Sequence, residues 1–126
     1  MSLLGLDIGI SGCKVVAFGL DGQALAQAYR EYRLYQPQPG WMELDPAEVW
    51  QAVTEVIGRV TAAVPGDPVR ALSVSTHGES VVPVDAAGRP LCRFITAIDT
   101  RAGQQMRWWA EHVGKERLFQ ITGMPL

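Results

Sequence analysis

The sequence has only two cysteines, Cys13 and Cys92, in 126 residues. They are too few and too far apart for a disulfide framework or a zinc motif. Both read as free thiols of a reducing, cytoplasmic setting. Basic charge is also scarce. Eleven Lys and Arg stand against thirteen Asp and Glu, for a net charge of −2. Binding to a phosphate backbone needs clustered Lys and Arg, so nucleic acid is not expected as a partner. No apolar run approaches the roughly 20 residues of a membrane span, so no membrane partner is expected. A secretory leader is not expected either, because Met1 to Leu6 has no basic region and Asp7 cuts the apolar run short. Internal repeats and low-complexity tracts are lacking. Met1, Ser2 and Leu3 carry no functional signal.

What remains is an ordinary composition for a folded chain, 48% apolar and 19% charged. At this length one domain with a real but modest core is expected. Residues 3–6, 13–20 and 23–33 read as three strands in an antiparallel meander. Asp21-Gly22 gives a strong hairpin signal between the second and third. Asp45-Pro46-Ala47-Glu48 opens a helix: Asp45 suits the N-cap, Pro46 the first helical position and Glu48 the reciprocal side of a capping box. Val49, Val53, Val56, Ile57 and Val60 then fall on one face. Pro65-Gly66-Asp67-Pro68 ends that helix. Residues 69–75 return to strand character, 81–84 form a further strand candidate, and 91–98 are extended. A second helix is expected from about Asp99-Thr100, with Ala102, Met106, Trp109, Ala110 and Val113 on its buried face. A short helical piece spans 116–121. This order gives an α/β domain with a mixed sheet.

The stretch Asp7-Ile8-Gly9-Ile10-Ser11-Gly12-Cys13-Lys14 invites a chemical question. It is neither of two well-known phosphate loops. No G-x-x-x-x-G-K-[ST] string occurs, and the dinucleotide fingerprint would need a glycine at Asp7 and a helix afterwards. A tight turn of small residues can still gather backbone N–H groups into a concave site for anionic oxygens. Gly9 and Gly12 let a phosphate approach the main chain, Ser11 adds a hydroxyl, and Lys14 adds positive charge. Asp7 cannot bind phosphate itself but can hold Mg²⁺. The alternative is a bare turn in which Asp7 caps and the glycines satisfy geometry. Ser75-Thr76-His77-Gly78-Glu79-Ser80 follows a strand, where α/β sheets bind ligands. In extended backbone His77 and Glu79 share a face and can meet ligand hydroxyls. A solvated turn is the alternative there, and an ordinary N-cap is the alternative for Asp99.

Three blocks together resemble the amino-terminal part of the FGGY carbohydrate kinases, which include glycerol kinase, xylulokinase and gluconokinase. Asp7 to Lys14 is similar to their D-x-G-T-[TS]-x-x-[KR] loop. Gly40-Trp41-Met42-Glu43-Leu44-Asp45-Pro46, continuing to Trp50, is similar to G-W-x-E-x-D-P-x-x-x-W. Ala71 to Arg101 resembles the strand, sugar-contact turn, D-x-x-G-x-P-L hairpin (Asp85 to Leu91) and D-x-R (Asp99-Thr100-Arg101). Thr122-Gly123-Met124-Pro125 fits a further T-G-x-P. Essentially the whole chain is covered.

The resemblance implies a two-lobed actin-like kinase with ribonuclease-H-like lobes, of which residues 1–126 form an incomplete first lobe. The implied function is transfer of the γ-phosphoryl group of ATP, with Mg²⁺, to a sugar, polyol or sugar acid. By position, Asp7 would act on the metal, and Gly9, Ser11, Gly12 and Lys14 would line the phosphate path. Glu79 would bind substrate hydroxyls, with His77, Gly78, Asp99 and Arg101 in the same neighbourhood. Trp41, Glu43, Asp45 and Trp50 are expected to be structural, with packed aromatics. Two positions depart from the family pattern: Ile10 replaces a usual threonine and Ala97 a frequent tryptophan. The catalytic base would belong to a second lobe absent from this chain, so the piece alone is expected to be inactive. Exposed apolar edges would favour self-association into a homo-oligomer. An actin-like or sugar-binding module without catalysis is the competing expectation.

Overall fold

The computed structural model describes residues 1–125. Three strands come first: β1 (Ser2–Ile8), β2 (Gly12–Gly19) and β3 (Ala24–Glu31). Short strands β4 (Leu34–Tyr35) and β5 (Glu43–Leu44) lead into helix α1 (Pro46–Ala63). Strand β6 (Val69–Thr76), short β7 (Phe94–Ile95), α2 (Gly103–His112) and α3 (Lys115–Thr122) complete the order. The main sheet runs β3-β2-β1-β6, and a smaller one runs β4-β5-β7. β2 pairs antiparallel with both β1 and β3, while β6 pairs parallel with β1. The mixed α/β sheet of an actin-like, ribonuclease-H-like lobe is therefore present. Ser2, silent in the sequence pattern, is fully buried at the start of β1, and its hydroxyl donates to the Asp67 carbonyl at 2.9 Å.

Helix α1 forms where the sequence placed it. Asp45 accepts from the backbone N–H groups of Ala47 and Glu48, and Pro46 opens the helix. The capping box does not close, because the Glu48 carboxylate accepts from the Tyr35 hydroxyl instead. The helix lays Val49, Ala52, Val53, Val56 and Val60 over β2 and β3. These side chains meet Leu4, Leu6, Cys13, Val15 and Ala17 from the sheet. Burying each valine contributes about 1.5–3 kcal/mol, so this layer supplies most of the chain's apolar stabilisation. Burial also pushes the Cys13 thiol pKa up. Both cysteines are free.

Elsewhere the structure corrects the pattern. Leu72 and Val74 of β6 are half exposed, because β6 is the edge strand and α1 lies over β2 and β3. Residues 81–84 form no strand: Val81 bridges Ile95 and Val84 bridges Pro90 singly. The second helix starts at Gly103, not at Asp99, and its N-cap position is Ala102. Its apolar stripe exists but is not buried: Met106, Trp109 and Val113 remain exposed. Trp50 is 69% exposed rather than packed. Among the described residues no helix is long and apolar enough to cross a membrane.

Replacing Asp45 by alanine removes the acceptor for two orphan N–H groups. The expected loss is about 1 kcal/mol of stability with an unchanged m-value, read from urea unfolding of the Asp45→Ala chain.

Candidate functional site

Parallel pairing of β1 and β6 sets their carboxyl ends side by side. The 9–12 turn leaves from one, and the 77–80 turn from the other. Both turns are joined through one carbonyl, that of Ile8. It accepts from the His77 backbone N–H at 3.3 Å and the Thr76 hydroxyl at 3.2 Å. His77 Nδ1 lies 2.9 Å from the same oxygen. A carbonyl can only accept, so Nδ1 carries the proton, and in the neutral ring Nε2 is then an acceptor. Gly78 and Glu79 form a turn, so His77 and Glu79 are not two residues of one extended face as expected. Glu79 is exposed and makes no ion pair among the described residues.

Asp7 lies on the sheet face opposite α1, exposed, with Lys14 directly across in β2 and Ser75 alongside in β6. These three residues, with Gly5, Val16 and Phe18, line a shallow hollow of about 270 Å³. Asp7 makes no ion pair within 4 Å among the described residues, so its carboxylate is available to a cation. One free carboxylate suits Mg²⁺, which keeps several waters and takes phosphate oxygens as further ligands. No group of three or more His, Cys, Asp or Glu side chains forms a closed metal cage among the described residues.

In the 9–12 turn, Gly9 N–H donates to the Gly12 carbonyl at 2.9 Å, and Tyr32 N–H donates to the Ser11 carbonyl at 3.4 Å. Ile10 and Ser11 N–H groups have no protein acceptor among the described residues. Gly12 has a different reason for being glycine than the one expected. A Cβ there would lie 2.5 Å from the Tyr29 hydroxyl and 2.7 Å from the Arg30 carbonyl, so close strand packing forbids a side chain. Gly9 has only the Gly12 carbonyl near, at 3.4 Å.

Asp99 and Arg101 sit apart from both turns, in a polar cluster beside the small sheet. Asp99 Oδ1 accepts from the Arg101 backbone N–H and Nε, each at 2.9 Å. Its Oδ2 accepts from Met42 N–H and Arg101 Nη2, each at 2.7 Å. The carboxylate's acceptor positions are thus filled by protein, and its side chain is 2% exposed. Arg101 Nη2 also reaches Glu43 at 2.8 Å, and its guanidinium stacks 3.7 Å from the Trp41 ring centre. Gly40, at φ +81°, brings its carbonyl to Thr100 N–H at 2.8 Å. The cluster therefore ties the 40–43 segment to the 96–101 segment. The Arg101 fork holds the Asp99 carboxyl well below the ordinary carboxylate range, and Asp99 in turn raises Arg101. An apolar pocket of about 200 Å³ lies beside the 77–80 turn, with Ile8, Leu44, Trp50, His77, Ser80 and Phe94 among its walls.

Over residues 2–126 the chain matches the N-terminal domain of the FGGY family of carbohydrate kinases. It belongs to that family. A glycerol kinase from Methylorubrum extorquens is 32% identical over 124 residues, covering 96% of this chain and 25% of the relative. A gluconate kinase from Lactobacillus acidophilus superposes with a TM-score of 0.91 at 27% identity, over 98% of this chain and 25% of that one. A ligand-bound xylulose kinase from the same organism gives 0.87 at 25% identity, over 94% and 24%. The chain spans about a quarter of the length of the relatives it matches.

Sequence reasoning singled out the two turns, Asp99 and Arg101 as candidates, but not the pairing of Asp99 with Arg101. It missed Ser75 as the neighbour of Asp7, and Tyr32 beneath the first turn. Neither carries a local signal, because each is brought in by strand register.

The depressed Asp99 pKa has a defined pH consequence. Its stabilisation is complete above the unfolded carboxyl value near 4 and is lost as pH falls through the lower folded value. Between pH 5 and 2 the Asp99→Asn chain is therefore expected to lose stability less steeply than the parent, measured by urea unfolding at stepped pH.

Proposed function

We propose that this chain supplies the phosphate loop and part of the substrate wall of an ATP-dependent carbohydrate kinase. In that assignment residues 1–126 are the amino-terminal part of its first lobe, and the second lobe lies outside this chain. The reaction is transfer of the γ-phosphoryl group of Mg-ATP to a hydroxyl of a polyol, sugar or sugar acid. Family membership supports it, and the kinases similar to this chain act on glycerol, gluconate and xylulose by their names. The single observation that carries it is the joining of the 9–12 turn to the His77 turn through the Ile8 carbonyl. A phosphate donor and a hydroxyl acceptor must meet, and here the two candidate loops share one hydrogen-bonded edge.

Phosphoryl transfer requires positioning and charge stabilisation more than covalent chemistry from the protein. In this reading the free N–H groups of Ile10 and Ser11, with the Ser11 hydroxyl, donate to phosphate oxygens. Gly9 keeps that approach open, Gly12 holds the turn against β3, and Lys14 adds positive charge. Asp7 would hold Mg²⁺, and the ion would supply neutralisation of phosphate charge. His77 Nε2 and Glu79 accept from substrate hydroxyls, and Gly78 leaves room beside them. Asp99 and Arg101 contribute by fixing the 40–43 segment, since the Asp99 carboxylate is already engaged by protein and Arg101 reaches Glu43. The base that deprotonates the substrate belongs to the absent lobe.

The test is ADP release by the native full-length protein, offered glycerol, xylulose or gluconate in turn. One of them is expected to drive turnover. Asp7→Asn is expected to lower kcat about a hundredfold or more, the scale for losing one preorganised charge-stabilising group. The 126-residue chain alone is expected to give no sugar-dependent ADP. Turnover by that chain alone would overturn the assignment as a piece of a kinase. Saturable sugar binding by the full-length protein without ADP release would indicate a non-catalytic module.

A further inference from the structure

Tyr32 lies just after β3, half-buried, with its ring packed against the apolar core. Its hydroxyl reaches back under the first turn. It donates toward the Gly9 carbonyl in a short contact and lies 3.1 Å from the Gly12 carbonyl. Its backbone N–H takes the Ser11 carbonyl. One residue thus engages three carbonyl oxygens of a four-residue turn. Carbonyls occupied in this way are not turned to an incoming anion, which they would repel. The N–H groups of Ile10 and Ser11, with no protein acceptor among the described residues, are the ones left for it. Burial pushes the Tyr32 hydroxyl up to about 12, so it stays a donor across the physiological range.

We infer that Tyr32 is the positioning residue of the 9–12 turn, engaging its Gly9, Ser11 and Gly12 carbonyls so that the N–H groups of Ile10 and Ser11 are the ones left to face a nucleotide's phosphates. The inference rests on the phosphate-loop assignment proposed above. Tyr32 touches no substrate in this role. It acts through the turn, so its loss weakens binding of phosphate-bearing ligands selectively. Removing the hydroxyl while keeping the ring leaves the core contact intact and frees the Gly9 carbonyl to turn outward.

The test uses the native full-length protein and compares ATP with adenosine by calorimetric titration, recording the melting temperature of each variant. Tyr32→Phe is expected to weaken ATP roughly three- to tenfold, the scale for one positioning hydrogen bond, with adenosine unchanged. Tyr32→Met keeps apolar bulk without a donor and takes its place should the phenylalanine variant melt early. Placing 4-aminophenylalanine at position 32 restores an N–H donor and is expected to recover ATP affinity. Ser11→Ala and Lys14→Ala report on the phosphate-loop assignment itself. If they weaken ATP selectively and the Tyr32 variants do not, the role of Tyr32 is overturned and the loop stands. If none of the substitutions at Tyr32, Ser11 and Lys14 changes ATP relative to adenosine, the loop assignment falls and the inference with it. Equal loss of ATP and adenosine in the Tyr32 variants would mean a structural role only and would also overturn it.

Discussion

Strand β1 is hydrogen-bonded on both sides, and the arrangement of the candidate site follows from that. Its antiparallel partner β2 returns through the 9–12 turn, while its parallel partner β6 arrives after a helix and ends at the same edge. A parallel neighbour cannot be reached by a tight turn. It needs a crossover, and α1 provides it. The crossover helix also supplies the apolar layer that packs over β2 and β3. Core and site are thus two results of one pairing scheme: the helix that buries the valines is the segment that delivers His77 beside Ile8.

The polar cluster at Asp99 and Arg101 works on a different footing. It closes a loop of nearly sixty residues between Glu43 and Arg101 with charge-assisted bonds rather than apolar burial. Such bonds are shorter and more directional than neutral ones, and a bidentate Arg–carboxylate fork fixes orientation as well as distance. Stacking on Trp41 fixes the plane of the guanidinium. That explains why the G-W-x-E and D-x-R motifs travel together in one chain. Gly40, Trp41, Glu43, Thr100 and Arg101 are one structural unit split between two stretches of sequence. The small sheet β4-β5-β7 is too short to hold itself, and this cluster secures it.

Much of the fold was legible because local rules and tertiary packing agreed. The Asp45-Pro46 start, the valine stripe of α1 and the Asp21-Gly22 hairpin each carry their own signal. Where they disagreed, tertiary contacts decided. The stripe of α2 satisfies helical periodicity as well as α1 does, yet Met106 and Trp109 stay exposed and α2 buries no residue fully. Asp99 has the composition of a helix cap, but Arg101 and Met42 claim its carboxylate and the helix starts four residues later.

By itself, the sequence determined the chemistry available: which turn lacks side chains, where carboxylates and a histidine follow strands, and which helix must lie on a core. These are properties of residue type and spacing over a few positions. Only the tertiary structure decided which of those groups are free. It left Asp7 and Glu79 without ion-pair partners among the described residues, filled every acceptor position of Asp99, explained Gly12 by the nearness of the Arg30 carbonyl and Tyr29, and brought Tyr32 to a turn twenty residues away. Availability depends on neighbours brought in by register and crossover, and no local pattern encodes those.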